Sequence, residues 1–257
     1  MSVDVRAFAV GAIQENCYIV RADRTAGSAA IVDPGEEPQR LLDAAADLGV
    51  RIEAILLTHC HFDHVGAVAP VAKATGAPVY CPAIEKPVLE DLNRWVPPGF
   101  GPFPSWTPEH ELHGGETLQV AGLAIEVLFT PGHSPGHLTY AISPAAAGQA
   151  GTAGQAGTAG QAGTAGEAGE AEIVLLSGDV LFQGSVGRVD LPGGDWPTLE
   201  RSIATLMERF PAQTGVFPGH MGVTTLGREL QSNPFLTELR AGAEVAVRAE
   251  KPSRTAA

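Results

Sequence analysis

Thr58-His59-Cys60-His61-Phe62-Asp63-His64-Val65-Gly66 sets three imidazoles and a carboxylate within six residues, directly behind the apolar run Ile52 to Leu57. A short apolar run closed by polar residues reads as a buried strand, so the cluster leaves the end of a rigid element. Imidazole is the commonest protein ligand for zinc and also suits iron, and a carboxylate adds charge and a hard oxygen. The competing reading is a polar turn that happens to be rich in histidine. Only eight of 257 residues are histidine, and three in one window on a non-repetitive background favour a metal site.

Size and charge narrow the rest. At 257 residues one large domain is expected. A net charge of −13 with no basic cluster argues against a nucleic-acid surface. Cys17, Cys60 and Cys81 are odd in number and scattered, giving neither a disulfide framework nor zinc-ribbon spacing. Cys60 lies between two candidate ligands, but if His59 and His61 face one ion from an extended backbone, Cys60 points away. It is expected to be a buried, inert thiol. No charged segment leads into an apolar stretch at the start, and no run reaches membrane-spanning length. The expectation is a cytoplasmic protein with no membrane partner.

Strands are expected over Val3 to Val10, Cys17 to Val20, Ala29 to Val32, Ile52 to Leu57 and Val79 to Cys81. Leu118 to Val120 and Ile125 to Phe129 suggest a hairpin, followed by Leu138 to Ile142, Ile173 to Leu176 and Val216 to Phe217. Helices are expected over Pro38 to Leu48, Val65 to Thr75 and Thr198 to Phe210, with short pieces over Leu226 to Leu230 and Phe235 to Leu239. Asn93 to Gly115 is crowded with Trp95, Phe100, Phe103, Trp106 and prolines and has no periodicity. It is either an irregular loop with its aromatics on the core or a wall beside the metal. His110 and His113 in this segment are taken as surface or structural. From Gly148 the hexamer Gly-Gln-Ala-Gly-Thr-Ala occurs three times, then once in drifted form. Without large apolar residues it cannot offset its ordering entropy. Residues 1–240 are therefore expected to form a single domain with a disordered insertion at about 144–171, and 241–257 to fray.

The pattern His59-x-His61-x-Asp63-His64 resembles the signature of the metallo-β-lactamase superfamily, and three later segments match its landmarks in order. These are Pro131-Gly132-His133-Ser134-Pro135-Gly136-His137, Ser177-Gly178-Asp179 and Pro218-Gly219-His220. The resemblance implies an α/β fold, a four-layer αβ/βα sandwich with its ligands along one edge. Carried over by position, it implies that His59, His61 and His133 hold one metal. Asp63, His64 and His220 would hold a second, with Asp179 bridging. The implied cofactors are two divalent ions, zinc, with iron or manganese as alternatives. Such ions lower the pKa of bound water to about 7 and can polarise a carbonyl. Asp63 is the candidate catalytic residue, orienting the nucleophile as well as ligating. Asp33, before Pro34, reads equally as a partner for a ligand histidine or as a simple turn carboxylate.

The stretch Gly184 to Asp195, with Thr224-Thr225 and Asn233-Pro234-Phe235, resembles the glyoxalase II-like branch, hydroxyacylglutathione hydrolases and their short bacterial relatives. That implies hydrolysis of a small-molecule thioester such as S-lactoylglutathione. Arg188 falls where the branch has a basic residue near the thiol and is the candidate substrate anchor. The alternative is an Arg paired with Asp190 or Asp195. Gly219-His220-Met221-Gly222 departs from the family's Gly-His-Gly-Pro, and few residues follow His220, so the carrier thiol stays open. A mononuclear iron persulfide dioxygenase and a lactonase share the fold and remain as alternatives. A metal-stabilised scaffold would need only four ligands and no open position.

Overall fold

Successive side chains of a strand face opposite ways, and most central strands here are apolar on both faces, so each sheet must be covered twice. The computed structural model describes residues 2–145, 173–239 and 241. The first half of the chain contains β1 (Asp4–Val10), β2 (Glu15–Arg21), β3 (Ser28–Val32), α1 (Pro38–Asp47) and β4 (Arg51–Leu56). It continues through α2 (Phe62–Val65), α3 (Val68–Thr75), β5 (Val79–Pro82), α4 (Lys86–Glu90) and β6 (His110–Leu112). Its six strands make one sheet in sequence order, antiparallel from β1 to β3 and parallel from β3 to β6.

The second half contains β7 (Thr117–Val120), β8 (Leu123–Phe129), β9 (Leu138–Pro144), β10 (Val174–Gly178), β11 (Leu181–Phe182) and β12 (Ser185–Val186). After these come α5 (Trp196–Arg209), β13 (Gly215–Pro218), β14 (Thr224–Thr225) and α6 (Leu226–Ser232). The second sheet runs β14-β13-β10-β9-β8-β7, with β10 and β13 parallel and β11–β12 a separate hairpin.

Three apolar layers hold these pieces together. On one face of the first sheet, Ile19, Ile31 and Ile55 pack with Leu41 of α1 and Val68 and Val71 of α3. On the other face, Val20, Val32 and Leu56 meet Ile125, Tyr140 and Leu176 of the second sheet. The outer face of the second sheet buries Leu175 and Val216 beneath Leu199, Ile203 and Leu206 of α5 and Leu226 of α6. The order is helices, sheet, sheet, helices: the four-layer sandwich. Each of these fully buried aliphatic side chains contributes about 1.5–3 kcal/mol. α5 starts where Asp195 accepts the Thr198 N–H at 2.9 Å, a side-chain cap with Pro197 in the first turn.

The structure departs from the sequence reading at several places. The single helix expected over Val65 to Thr75 is two pieces, α2 and α3, separated at Gly66-Ala67. A Cβ on Gly66 would come within 2.6 Å of the Gly35 carbonyl and 2.8 Å of the Phe103 ring, so the chain turns where another segment passes close. Pro70 sits in the first turn of α3, where its missing N–H costs nothing. Asn93 to Gly115 is irregular for most of its length but ends in β6, which pairs parallel with β5. Its Phe103 and Trp106 pack on the first core layer, while Phe100 lies 4.7 Å from the Phe62 ring beside the histidine cluster. The expected insertion at 144–171 and tail at 241–257 fall almost wholly outside the described residues.

Candidate metal centre

The cluster at Thr58 leaves the end of β4, and the other three segments leave β8, β10 and β13, so all reach the same edge of the sandwich. There the side chains converge. Nε2 of His59 lies 3.1 Å and Nε2 of His133 lies 2.8 Å from Nδ1 of His61, with the three rings packed edge to face. One donor atom from each of these three lies within 4.8 Å of the others, and the same holds for Asp63, His64 and His220. Asp179 stands between the two groups. Its Oδ1 is 3.4 Å from His64 Nε2, while its Oδ2 is 3.5 Å from His133 Nε2 and 3.6 Å from His220 Nε2. All seven residues singled out for metal are thus brought together.

Two atoms test whether the set suits cations. Asp179 Oδ1 and His64 Nε2 are buried with no hydrogen-bond partner among the described residues, a costly condition unless a ligand satisfies them. Protonation agrees. Burial, and then the neighbouring imidazoles, hold His59 well below the usual histidine range, and burial with the His133 ring pushes His61 down to about 4. Burial alone would raise Asp63 and Asp179, but His64 outweighs it and both carboxyls titrate below their ordinary value. His64 moves the other way: burial opposes its charge, yet Asp179 and Asp63 raise it well above 6.5. Two rings therefore offer lone pairs and two carboxylates stay ionised, as metal ligands must. His64 holds a proton that a cation would displace. The donor set fits two divalent ions.

The surroundings fix these ligands in place. Asp33, 2% exposed, accepts the Thr58 N–H at 2.7 Å and the Thr58 hydroxyl at 2.6 Å, and lies 3.0 Å from His64 Nδ1. It is the partner of a histidine, not merely a turn residue. His133 Nδ1 donates to the Arg188 carbonyl at 2.8 Å. The Asp179 N–H donates to His137 Nε2 at 3.0 Å, which places the His137 proton on Nδ1, 3.3 Å from the Thr130 hydroxyl. Asn16 clamps the His220 turn: its N–H donates to Gly219 O at 2.7 Å, and its Nδ2 to Pro218 O at 3.0 Å and Met221 O at 2.9 Å. Tyr18 adds a 2.7 Å bond to Pro218 O. The clamp holds Met221 at φ 68°, a left-handed conformation unusual for a bulky residue. Gly219 itself tolerates no side chain, because a Cβ there would collide with Asp179 Oδ1.

Some expectations land elsewhere. The Arg188 guanidinium is 63% exposed and forked onto Asp190 at 2.6 and 2.7 Å; it is the residue's carbonyl that touches the centre. His110 stacks on Tyr80 at 4.4 Å and His113 is exposed; neither belongs to a metal-candidate group among the described residues. Cys60 turns into the first core layer, with its Sγ 3.6 Å from that of Cys81. Asn16, His137 and the buried Glu15, whose Oε1 lies 3.7 Å from His64 Nδ1, had no assigned role in the sequence reading. An Asn or Glu near a turn carries no signal of a partner two hundred residues away.

Residues 10–143 match the metallo-β-lactamase superfamily model. The chain belongs to this superfamily. It is 32% identical to the hydroxyacylglutathione hydrolase GloC of Haemophilus influenzae, over 91% of this chain and 98% of that one. Two crystal structures share the fold over their whole length. BLEG-1, a B3 metallo-β-lactamase, gives 34% identity, a TM-score of 0.74 and 91% coverage of this chain. TTHA1623 in a di-iron-bound form gives 37% identity, a TM-score of 0.68 and 90% coverage. Membership and donor set together support a metal-dependent hydrolase. No helix among the described residues is long and apolar enough to cross a membrane.

Proposed function

We propose that this superfamily member hydrolyses a small thioester of the hydroxyacylglutathione type at a two-ion centre. The observation that carries the reading is Asp179, which turns one oxygen toward His64 and the other toward His133 and His220. The mononuclear iron dioxygenase shares the His-x-His-x-Asp-His pattern, so the number of ions bound separates the two readings. In this reading His59, His61 and His133 would hold the first ion and Asp63, His64 and His220 the second, with Asp179 available to both. Zinc is the proposed metal, with iron or manganese as alternatives, and the di-iron form of TTHA1623 keeps iron in the test. When bound, the ions make water nucleophilic near neutral pH and polarise the thioester carbonyl.

The chain's own groups do the rest. Asp63, its Oδ2 3.3 Å from His220 Nε2, orients the attacking water and receives its proton. Asp33 keeps the His64 proton on Nδ1, so that Nε2 faces the centre with its lone pair once the cation binds. The Phe62 ring, next in sequence to His61, packs against Phe100 and Phe103 and gives that side of the centre an apolar flank. Water adds to the carbonyl carbon, the C–S bond breaks, and the proton taken up by Asp63 passes to the departing sulfur, so the products are a hydroxy acid and a free thiol. Arg188 is the proposed anchor for a substrate carboxylate, exchanging Asp190 for the ligand. The GloC relative supports the thioester class.

The test pairs metal analysis with turnover. Two ions per chain and hydrolysis of S-lactoylglutathione support the reading. One iron with oxygen uptake on glutathione persulfide would replace it, as would activity confined to lactones or to a cephalosporin. Arg188→Ala is expected to raise KM more than it lowers kcat; an unchanged KM on every thioester tried removes Arg188 from the substrate site.

A further inference from the structure

The loops carrying His59, His61 and His133 come from different sheets, and one side chain outside the cluster bonds to both. Glu85, between β5 and α4, is 3% exposed. Its Oε2 accepts the N–H of Cys60, the residue between His59 and His61, at 3.0 Å. Its Oε1 accepts the Gly136 N–H at 3.0 Å and the hydroxyl of Ser134, which follows His133. The fit is close: a Cβ on Gly136 would stand 2.5 Å from Glu85 Cγ.

We propose that Glu85 is a positioning residue, setting the spacing between the 59–61 and 133–136 loops so that three imidazoles converge on one point before any ion arrives. The inference rests on reading that triad as a metal site. Every side-chain hydrogen bond of Glu85 ends within three residues of a triad histidine. Its contribution to α4 runs through its backbone carbonyl, which receives the N–H groups of Val88 and Leu89 and which any substitution would keep. Two oxygens can serve three donors; an amide offers a single acceptor oxygen and turns an N–H against a donor. The residue between two ligands is thereby anchored from behind, with the Cys60 side chain in the core and its N–H on Glu85. The same carboxyl group holds the turn that follows His133.

The experiment is a zinc titration of the full chain with isotope-labelled histidine, read by NMR. Resonances of His59, His61 and His133 are followed separately from those of His64 and His220. For Glu85→Gln, zinc affinity at the three-histidine group should fall 10–100-fold, the range for partners that orient ligands, while His64 and His220 saturate as in wild type. Ser134→Ala should lose a few-fold alone and almost nothing in the Glu85→Gln background, because both act through one network. Wild-type affinity in Glu85→Gln, or an equal loss at both groups, overturns the proposal and leaves Glu85 a general packing residue. If Glu85→Gln does not fold, Ser134→Ala decides, and an unchanged zinc affinity there overturns it. A wild-type chain that takes up no zinc at either group removes the metal reading, and the proposal falls with it.

Discussion

Asp33→Asn isolates orientation from charge and shape. Asp33 has φ 48°, a left-handed conformation that Asn tolerates well, so the backbone does not object. The amide oxygen can replace Oδ1 and keep the Thr58 N–H bond of 2.7 Å. The amide nitrogen then occupies the place of Oδ2, facing the Thr58 hydroxyl at 2.6 Å and His64 Nδ1 at 3.0 Å. A hydroxyl rotates to accept at little cost. The imidazole cannot: to accept at Nδ1 it must carry its hydrogen on Nε2, the atom facing Asp179 and Asp63 at 3.4 and 3.8 Å. In the wild type, loss of the Nε2 proton to a cation leaves the other hydrogen on Nδ1, accepted by Asp33. In the variant that Nδ1 hydrogen would face the amide N–H, so the cation-binding tautomer loses its partner. Loss of an orienting partner typically weakens metal binding 10–100-fold, which is about 1.4–2.7 kcal/mol. The fold exchanges one hydrogen bond for a poorer one, about 1 kcal/mol, or roughly 2–4 °C in Tm for a chain of this size. Competition against a chelator measures the first quantity, and melting in excess chelator the second. Two ions bound with wild-type affinity would refute the tautomer argument. A Tm drop of about 10 °C or more would show that the scaffold, rather than the ring, had failed.

Other predictions concern the clamp, an ion pair and the insertion. Asn16→Ala removes two side-chain bonds to the His220 turn and should weaken the His64 and His220 ion more than the three-histidine one, as the same titration would show. Burial alone would raise the Asp4 pKa, but hydrogen bonds from Arg21 and Arg6 outweigh it and hold the carboxyl below 3.8. The sign follows: its stabilisation is complete above the unfolded-state value and is lost as pH falls through the lower folded one. Asp4→Asn should therefore destabilise the fold at pH 7 and progressively less below about pH 4, which urea melts at several pH values would record. Residues 146–172 lie between β9 and β10, which pair directly, Val174 opposite Ile142. Replacing that stretch with a short turn should leave Tm within about 2 °C, since closure entropy varies slowly with length, and should leave turnover unchanged. A larger Tm loss would show that it is packed.

The strands that end in site residues were legible because their runs are long and apolar, and the polar residue behind each is chemically conspicuous. The gathering of all seven site residues on one edge follows from that pattern together with the family resemblance. Short elements were not legible. β6, the β11–β12 hairpin and β14 have two or three residues each, too few for any periodicity. The break between α2 and α3 depends on Gly35 and Phe103 pressing on Gly66, which composition does not record. Least legible were the groups that act through backbone. Asn16, Glu85 and the Arg188 carbonyl bond to segments remote in the chain, and nothing in their own neighbourhoods marks them. Arg188 shows the limit from both sides, since its charge drew notice while its peptide oxygen makes the contact.

The centre is divided between halves: His59, His61, Asp63 and His64 follow the first sheet, and His133, Asp179 and His220 the second. Among the described residues, the group Asp33, His59 and His64 lies wholly in the first half, while the other two groups of three draw on both halves. An ion seated there would add a further tie between two halves that the Tyr18 bond to Pro218 O and the Tyr140 bond to Leu57 O already join. Docking of the two halves is therefore the step that completes both of the mixed donor groups.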